Sequence, residues 1–206
     1  SSSGNGEDSD FDLDARNSSA ESLQDHLEWQ LNLTRMSAND RVIATAIIDA
    51  IDNDGRLTIS PEEILEGMPA ESGVEFDEVM AVLHRIQQFD PPGVGGRDLR
   101  ECLLIQLNQL TPDTPWLREA KLVIDKHIQL LGSRDYMQLM RRSRLRENEL
   151  REVLKLIQTL NPTPGAMIAA STAEYVVPDV FVRKIRGRWT VELNPEIAPK
   201  LRINAD

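Results

Sequence analysis

The sequence predicts a mainly α protein. It should hold two helical subdomains, a bundle and a small helix-turn-helix-like tri-helical unit, followed by an extended segment with a β-hairpin. Three observations carry this. Apolar residues recur at three- and four-residue steps from Leu23 to Leu160, the period of a half-buried helix. Past Asn161 the period changes to two. Hydrophobic residues make up 40% of the chain but aromatics only 4%, so the core must be Leu, Ile, Val and Ala, which favours packed helices over a β-sandwich.

The chain opens on a polar, acidic stretch. Residues 1–17 are largely Ser, Gly, Asn, Asp and Glu, too poor in apolar side chains to offset ordering entropy, and they read as a disordered linker. Mimicry of nucleic-acid phosphate is the functional alternative. Residues 18–110 read as the first helical bundle. Ser18 and Glu21 have the spacing of a capping box, ahead of a helix with Leu23, Leu27 and Leu31 on one face and Trp29 beside it. Ser37 and Asp40 open a second, bearing Val42, Ile43, Ala46, Ile47, Ala50 and Ile51, with Gly55 as its expected end. Asp52-Asn53-Asp54-Gly55 invites a calcium loop, but an EF-hand with Gly55 at its sixth position would begin at Ala50 and end at Pro61, where ligand carboxylates belong. An Asp-Gly turn is the better reading.

Ser60-Pro61-Glu62-Glu63 combines a cap, a proline at the first helical position and acids in the first turn. Gly67 should end that short helix. Ser72 and Glu75 precede the next, with Phe76, Val79, Met80, Leu83 and Ile86 as its expected core stripe and His84 on the flank.

Residues 88–107 form the hinge. Pro91 and Pro92 stop the incoming helix near Phe89. Gly93, Gly95 and Gly96 then permit a reversal that side chains would block. Leu99, Cys102, Leu103, Gln106, Leu107 and Leu110 restart a helical stripe. Five of the six residues 91–96 are Gly or Pro, far more than a bland connection needs, so the loop should have a fixed shape. Asp90 and Arg97 could pair across it, and Phe89 and Leu99 should be core.

Residues 111–160 read as the second subdomain. Thr111-Pro112-Asp113-Thr114-Pro115 is a proline linker leading into a helix with Leu117, Ala120, Ile124, Ile128 and Leu131 buried, ended by Gly132. Ser133 should cap a short helix with Tyr136, Met137 and Met140. A longer helix with Leu150, Val153, Leu154, Ile157 and Leu160 follows. Between them lies the one basic cluster. Residues 134–155 hold seven Arg or Lys against four Asp or Glu, with Arg141, Arg142, Arg144, Arg146 and Arg151 as possible contacts to nucleic acid or to a protein partner. A DNA reader needs polar base-contacting residues where the second helix starts. Glu147 and Glu149 stand there, which favours a packing unit that touches protein. Residues 161–206 read as an extended segment. Asn161-Pro162-Thr163-Pro164-Gly165 ends the helices. Val180 and Val182, then Trp189, Val191 and Leu193, alternate with polar residues about Arg186-Gly187-Arg188, the pattern of a hairpin, flanked by Pro178, Pro195 and Pro199.

The bulk numbers narrow the function. A net charge of −11 on 206 residues disfavours nonspecific DNA binding, which usually needs a basic face. One cysteine excludes an internal disulfide and any zinc cage built from cysteines. No apolar run approaches a membrane span, so no membrane partner is expected. No signal peptide opens the chain, and a start at Ser1-Ser2-Ser3 points to a piece of a longer protein. A soluble, reducing, cytoplasmic setting fits. Gly93-Val94-Gly95 fails as a dinucleotide loop, because Asp98 stands where a third Gly belongs and the preceding pattern is helical. There is no Walker lysine pair, no HExxH, and no nucleophile with a matched base. No catalytic residue, cofactor or metal is expected.

Three strings resemble one family, the enhancer-dependent bacterial sigma factors, also called sigma-N or sigma-54. The first is Phe89-Asp90-Pro91-x-Gly93-Val94-Gly95-x-Arg97-Asp98-Leu99-x-Glu101-Cys102-Leu103, which looks like the family's core-polymerase-binding region. The second is Leu160-Asn161-Pro162-x-Pro164-Gly165. The third is Tyr175-Val176-Val177-Pro178-Asp179-Val180, followed by Trp189-x-Val191-x-Leu193-Asn194. They stand in the family's order across residues 37–204. The resemblance implies a transcription initiation factor whose core-binding domain docks on the β and β′ subunits of core RNA polymerase. It also implies promoter DNA and ATP-driven activators as partners of the full-length factor only. The family's Gln/Leu-rich N-terminal segment and its Ala-Arg-Arg-Thr promoter-reading box do not occur in these 206 residues. A stand-alone helix-turn-helix regulator using Arg141–Arg151, and a scaffold or anti-activator that binds a helical partner, remain as alternatives.

Overall fold

The computed structural model describes residues 21–166 and 168, and the backbone of 180–185 and 188–193. The acidic stretch 1–17, the Ser18 cap, the 175–179 string and the turn at 186–187 lie outside the described residues. The described part is mainly helical: α1 (Leu23–Asn32), α2 (Ala38–Asp49), α3 (Pro61–Glu66), α4 (Phe76–Ile86), α5 (Leu99–Gln109), α6 (Leu117–Gly132), α7 (Tyr136–Ser143) and α8 (Glu147–Gln158). A single 3₁₀ turn, Ala70–Ser72, joins α3 to α4. Strands β1 (Val180–Ile185) and β2 (Arg188–Leu193) pair antiparallel, Val180 opposite Leu193 and Ile185 opposite Arg188.

Local chemistry sets most helix starts. The Ser37 and Ser60 side chains accept from the backbone N–H of Asp40 and Glu63, and Glu63 reaches back to the Ser60 N–H at 2.9 Å. Each such cap is worth about 1 kcal/mol. Four boundaries differ from the sequence reading. The box that starts α1 is Ser22 with Asp25. Helix α2 ends at Asp49, and Gly55 instead closes a turn bridged by Ile51 and Leu57. Glu75 is the N-cap of α4, its N–H bonded to the Glu78 carboxylate at 2.7 Å, while Ser72 lies in the 3₁₀ turn. Asp135 rather than Ser133 caps α7, because its carboxylate sits where it can accept from the Gln138 N–H. Helix α6 carries a kink at His127 and starts after Trp116, which has φ of 65°.

Two buried clusters hold the helices together. The first joins Leu23, Leu27 and Leu31 of α1, Ile43 and Ile47 of α2, Ile64 of α3, Val79, Val82, Leu83 and Ile86 of α4, and Val94 of the hinge. Phe76, expected in the α4 stripe, is 40% exposed, and Val82 completes that face. The second joins Leu103 and Leu107 of α5 to α6, Leu139 of α7, and Leu150, Val153 and Ile157 of α8. Helix α5 therefore shares its core with the helices after it.

Candidate functional site

The hinge is held by packing, backbone geometry and polar side chains together. Phe89 is half-buried against the first cluster and Leu99 against the second, so the motif spans the two cores. Val94 is fully buried between them in sequence. Gly93 and Gly95 have φ of 94° and 82°, where a side chain is strained. Space is also lacking at Gly93, where a Cβ would lie 2.6 Å from Gln106 Nε2.

Polar side chains lock the loop at both ends. Asp90 turns toward α1, not toward Arg97. Its carboxylate meets His26 Nε2 at 3.0 Å, and its backbone N–H and C=O bond the Gln30 amide at 2.8 and 2.7 Å. The Asp90–Pro91 peptide is cis. Arg97 instead forks onto Glu101, one turn into α5, with Nη2–Oε2 at 2.5 Å and Nε–Oε1 at 3.1 Å. An arginine matches a carboxylate best in such a two-pronged bond, and the Glu101 carboxylate holds the Arg97 guanidinium above its usual pKa range. Asp98 is the N-cap of α5, accepting from the Glu101 N–H at 2.7 Å. The buried Gln87 amide then bridges the Gly95 carbonyl at 3.1 Å and the Glu101 carboxylate at 2.8 Å.

Two distant segments close on the same loop. The turn at 52–57 is shaped by Asp52, whose Oδ1 accepts from the Asp54 and Arg56 N–H groups. It joins the hinge through Gly95 N–H to Gly55 O at 2.9 Å and Leu57 N–H to Gly96 O at 3.0 Å. The second string returns here as well. The buried Gln106 amide donates to Asn161 O at 2.7 Å and accepts from Asn161 N–H at 2.8 Å. Arg56 Nη2 donates to Pro162 O at 2.7 Å, while its Nη1 is buried without a partner. Gly165 N–H donates to Asp54 O at 3.0 Å. Cys102 is buried in this junction, and burial pushes its thiol pKa up, opposed by the nearby Arg56 charge.

Glu101 and Asn161 stand in the family-like strings, and Gln106 left a signal as a polar residue inside an otherwise apolar stripe, but Gln87 and Arg56 were not singled out in the sequence.

The basic cluster lies apart, on α7, α8 and the turn between them. Arg141, Arg142, Arg144, Arg146 and Arg151 are all exposed. Arg144 has φ of 59° and reverses the chain. Arg151 pairs with Glu147 at 3.1 Å and Arg146 sits 3.9 Å from Glu149. The two acids at the start of α8 thus partly neutralise their own arginines.

A family model described as "Sigma-54 factor, core binding domain" matches residues 12–206. The chain is 59% identical over 195 residues to an RNA polymerase sigma-54 factor of Azotobacter vinelandii, covering 95% of this chain and 39% of that protein. It is 57% identical over 199 residues to one of Pseudomonas aeruginosa, covering 97% and 40%. Over 184 residues it is 53% identical to one of Escherichia coli, covering 89% and 38%. The chain thus spans about two fifths of the length of these relatives. With the 89–99 loop and the 160–165 string joined in one clasp, and the match running through both, the chain belongs to the sigma-54 factors and carries their core binding domain.

Proposed function

We propose that this chain docks on core RNA polymerase, on its β and β′ subunits, as the polymerase-binding part of a transcription initiation factor. The observation that carries the reading is the core-binding-domain match across residues 12–206. On this reading Phe89, Asp90, Pro91, Gly93, Val94, Gly95, Arg97, Asp98 and Leu99 fix the shape of the docking domain instead of touching polymerase one by one. The task is binding, not catalysis. We divide the chain into a first helical unit at 18–110, a second at 111–160, and an extended stretch at 161–206 whose two strands form a hairpin. Helix α5 is shared, following the first unit along the chain and packing with the second. Promoter DNA and the ATP-driven activator are met in the context of the full-length factor.

The arginines of α7 and α8 face protein in this reading. A net charge of −11 opposes a polyanion at long range, and phosphate attraction cannot replace side chains aimed at base edges. The test has two arms on one sample. Gel filtration with core polymerase should give co-elution that an intact sigma factor competes away. Anisotropy on promoter and scrambled duplexes should give weak binding, equal for both, lost with modest salt. Tight, sequence-selective DNA binding without polymerase would overturn the assignment, and so would failure of well-folded protein to co-elute.

A further inference from the structure

The corner between α1 and α2 forms an open groove of about 660 Å³. Leu33, Arg35, Met36, Asp40, Arg41 and Arg85 line it. Two of the three arginines, Arg41 and Arg85, are positioned by neutral acceptors, and the Arg35 guanidinium stands free of hydrogen bonds among the described residues. Arg41 donates from Nη1 to Asn32 Oδ1 at 3.2 Å and from Nη2 to Thr34 O at 3.3 Å. Arg85 Nη2 donates to the Arg35 carbonyl at 2.8 Å. Among the described residues none of these three guanidiniums is in an ion pair. The chain has 34 Asp and Glu against 23 Lys and Arg, so three unpaired cations on one wall run against its composition. A guanidinium held at one edge by carbonyls keeps its other N–H groups for an oxyanion.

One edge of the groove is apolar. Leu33 lines it and is 69% exposed, and Trp29, one turn earlier along the chain and outside the lining, is 57% exposed. Residues four apart on a helix are neighbours, so they form one patch. Arginine and tryptophan beside exposed aliphatic surface is the composition of protein-binding hot spots. A nucleic-acid backbone would satisfy the arginines but not the leucine, and would bring its charge up to Asp40 and a chain of net charge −11.

We propose that this groove receives an acidic segment of core RNA polymerase that carries at least one apolar side chain. Its carboxylates meet Arg35 and Arg85, and its apolar side chain lies against Leu33 and Trp29. The inference rests on the docking reading above and adds the surface and the chemistry of the partner segment.

The test uses purified core polymerase as the probe and five forms of the chain: wild type, Arg35→Glu, Arg35→Lys, Leu33→Asp, and Lys126→Glu as an equal charge change elsewhere. Arg35 and Leu33 are exposed, and the Arg35 side chain makes no hydrogen bond among the described residues, so these forms should fold as wild type does by melting temperature. Arg35→Glu and Leu33→Asp should each weaken polymerase binding by about tenfold or more, while Arg35→Lys and Lys126→Glu stay within about threefold. A benzophenone side chain at position 33 should crosslink to a polymerase peptide containing Asp or Glu. If wild type binds and Arg35→Glu binds equally well, the groove is not the docking surface, although the docking reading stands. If wild type itself does not bind, both fall. If Arg35→Glu lowers affinity for a random-sequence duplex and leaves polymerase binding intact, the groove is a polyanion site and the proposal is overturned.

Discussion

Replacing Gln106 by methionine keeps the side chain's length and volume and removes only its amide. That amide makes two bonds to the backbone of Asn161, at 2.7 and 2.8 Å, and a third to the Cys102 carbonyl at 3.2 Å. The residue is 7% exposed, so methionine gains no penalty from burial. The penalty falls on Asn161, whose N–H and C=O lose their best partners. An unmade buried hydrogen bond costs about 1–3 kcal/mol. Asn161 is only half-buried, and water recovers part of that, which leaves a net loss of about 2–4 kcal/mol. For a chain of this size the melting temperature should fall by roughly 5–12 °C. Gln109→Met is the control. Gln109 is exposed and makes one bond, to Gln87 O at 3.2 Å, so its loss should stay below about 1 kcal/mol. Amide exchange distinguishes a loosened clasp from a general loss of stability. In Gln106→Met the Asn161 and Gly165 amides should exchange faster than the amides of Leu27 and Ile47, which lie in the first core. A melting temperature within about 2 °C of wild type, with Asn161 still protected, would refute the reasoning.

Two further outcomes follow from the same junction. Gly95→Val should destabilise by about 1–3 kcal/mol, because φ is 82° there and the new Cβ would lie 3.2 Å from Gln87 Cγ; unchanged melting together with unchanged polymerase binding would show the loop to be more tolerant than its geometry implies. The pKa of Cys102 is raised in the fold, so above the ordinary value of 9.0 the unfolded chain loses its thiol proton first. Stability should therefore be full below that pH and fall as pH rises past it, and Cys102→Ala should flatten the alkaline slope in chemical denaturation run across the range.

The helix caps were legible because they are local. Ser37 with Asp40, and Ser60 with Pro61 and Glu63, need nothing beyond four consecutive residues. The misplacement at Ser133 has a simple origin. Asp135, two residues on, is another competent cap, and only packing decides which one faces an orphan N–H. The hinge was legible as a fixed loop because Pro and Gly constrain the backbone directly. Its partners were not. Pairing Asp90 with Arg97 is reasonable from sequence, yet Glu101 lies one helical turn from Arg97, and that proximity wins. Asp90 is then free to meet His26 and Gln30, 64 and 60 positions away, which no local pattern encodes. Phe76 misled for a related reason. A helical stripe is about 100° wide, and its edge position can face solvent when Val82 fills the centre.

The 160–165 string matters for a reason its own residues do not announce. Helices α6 to α8 leave the hinge through α5 and return at Asn161, and Gln106 of α5 ties that return to its own departure point. The second unit is therefore an excursion whose two ends are held together. The chain then continues onto the first unit, where Gly165 packs so closely that a Cβ would lie 2.3 Å from Asn53 O and 2.7 Å from Leu23 Cδ2. One strip of backbone, 161–165, thus touches α5, the 52–57 turn and α1 within five residues. Substitutions in these segments share partners, so their effects should not add. Strings separated by some 60 residues in the sequence are a single clasp in space, which joins α5, the 52–57 turn and α1.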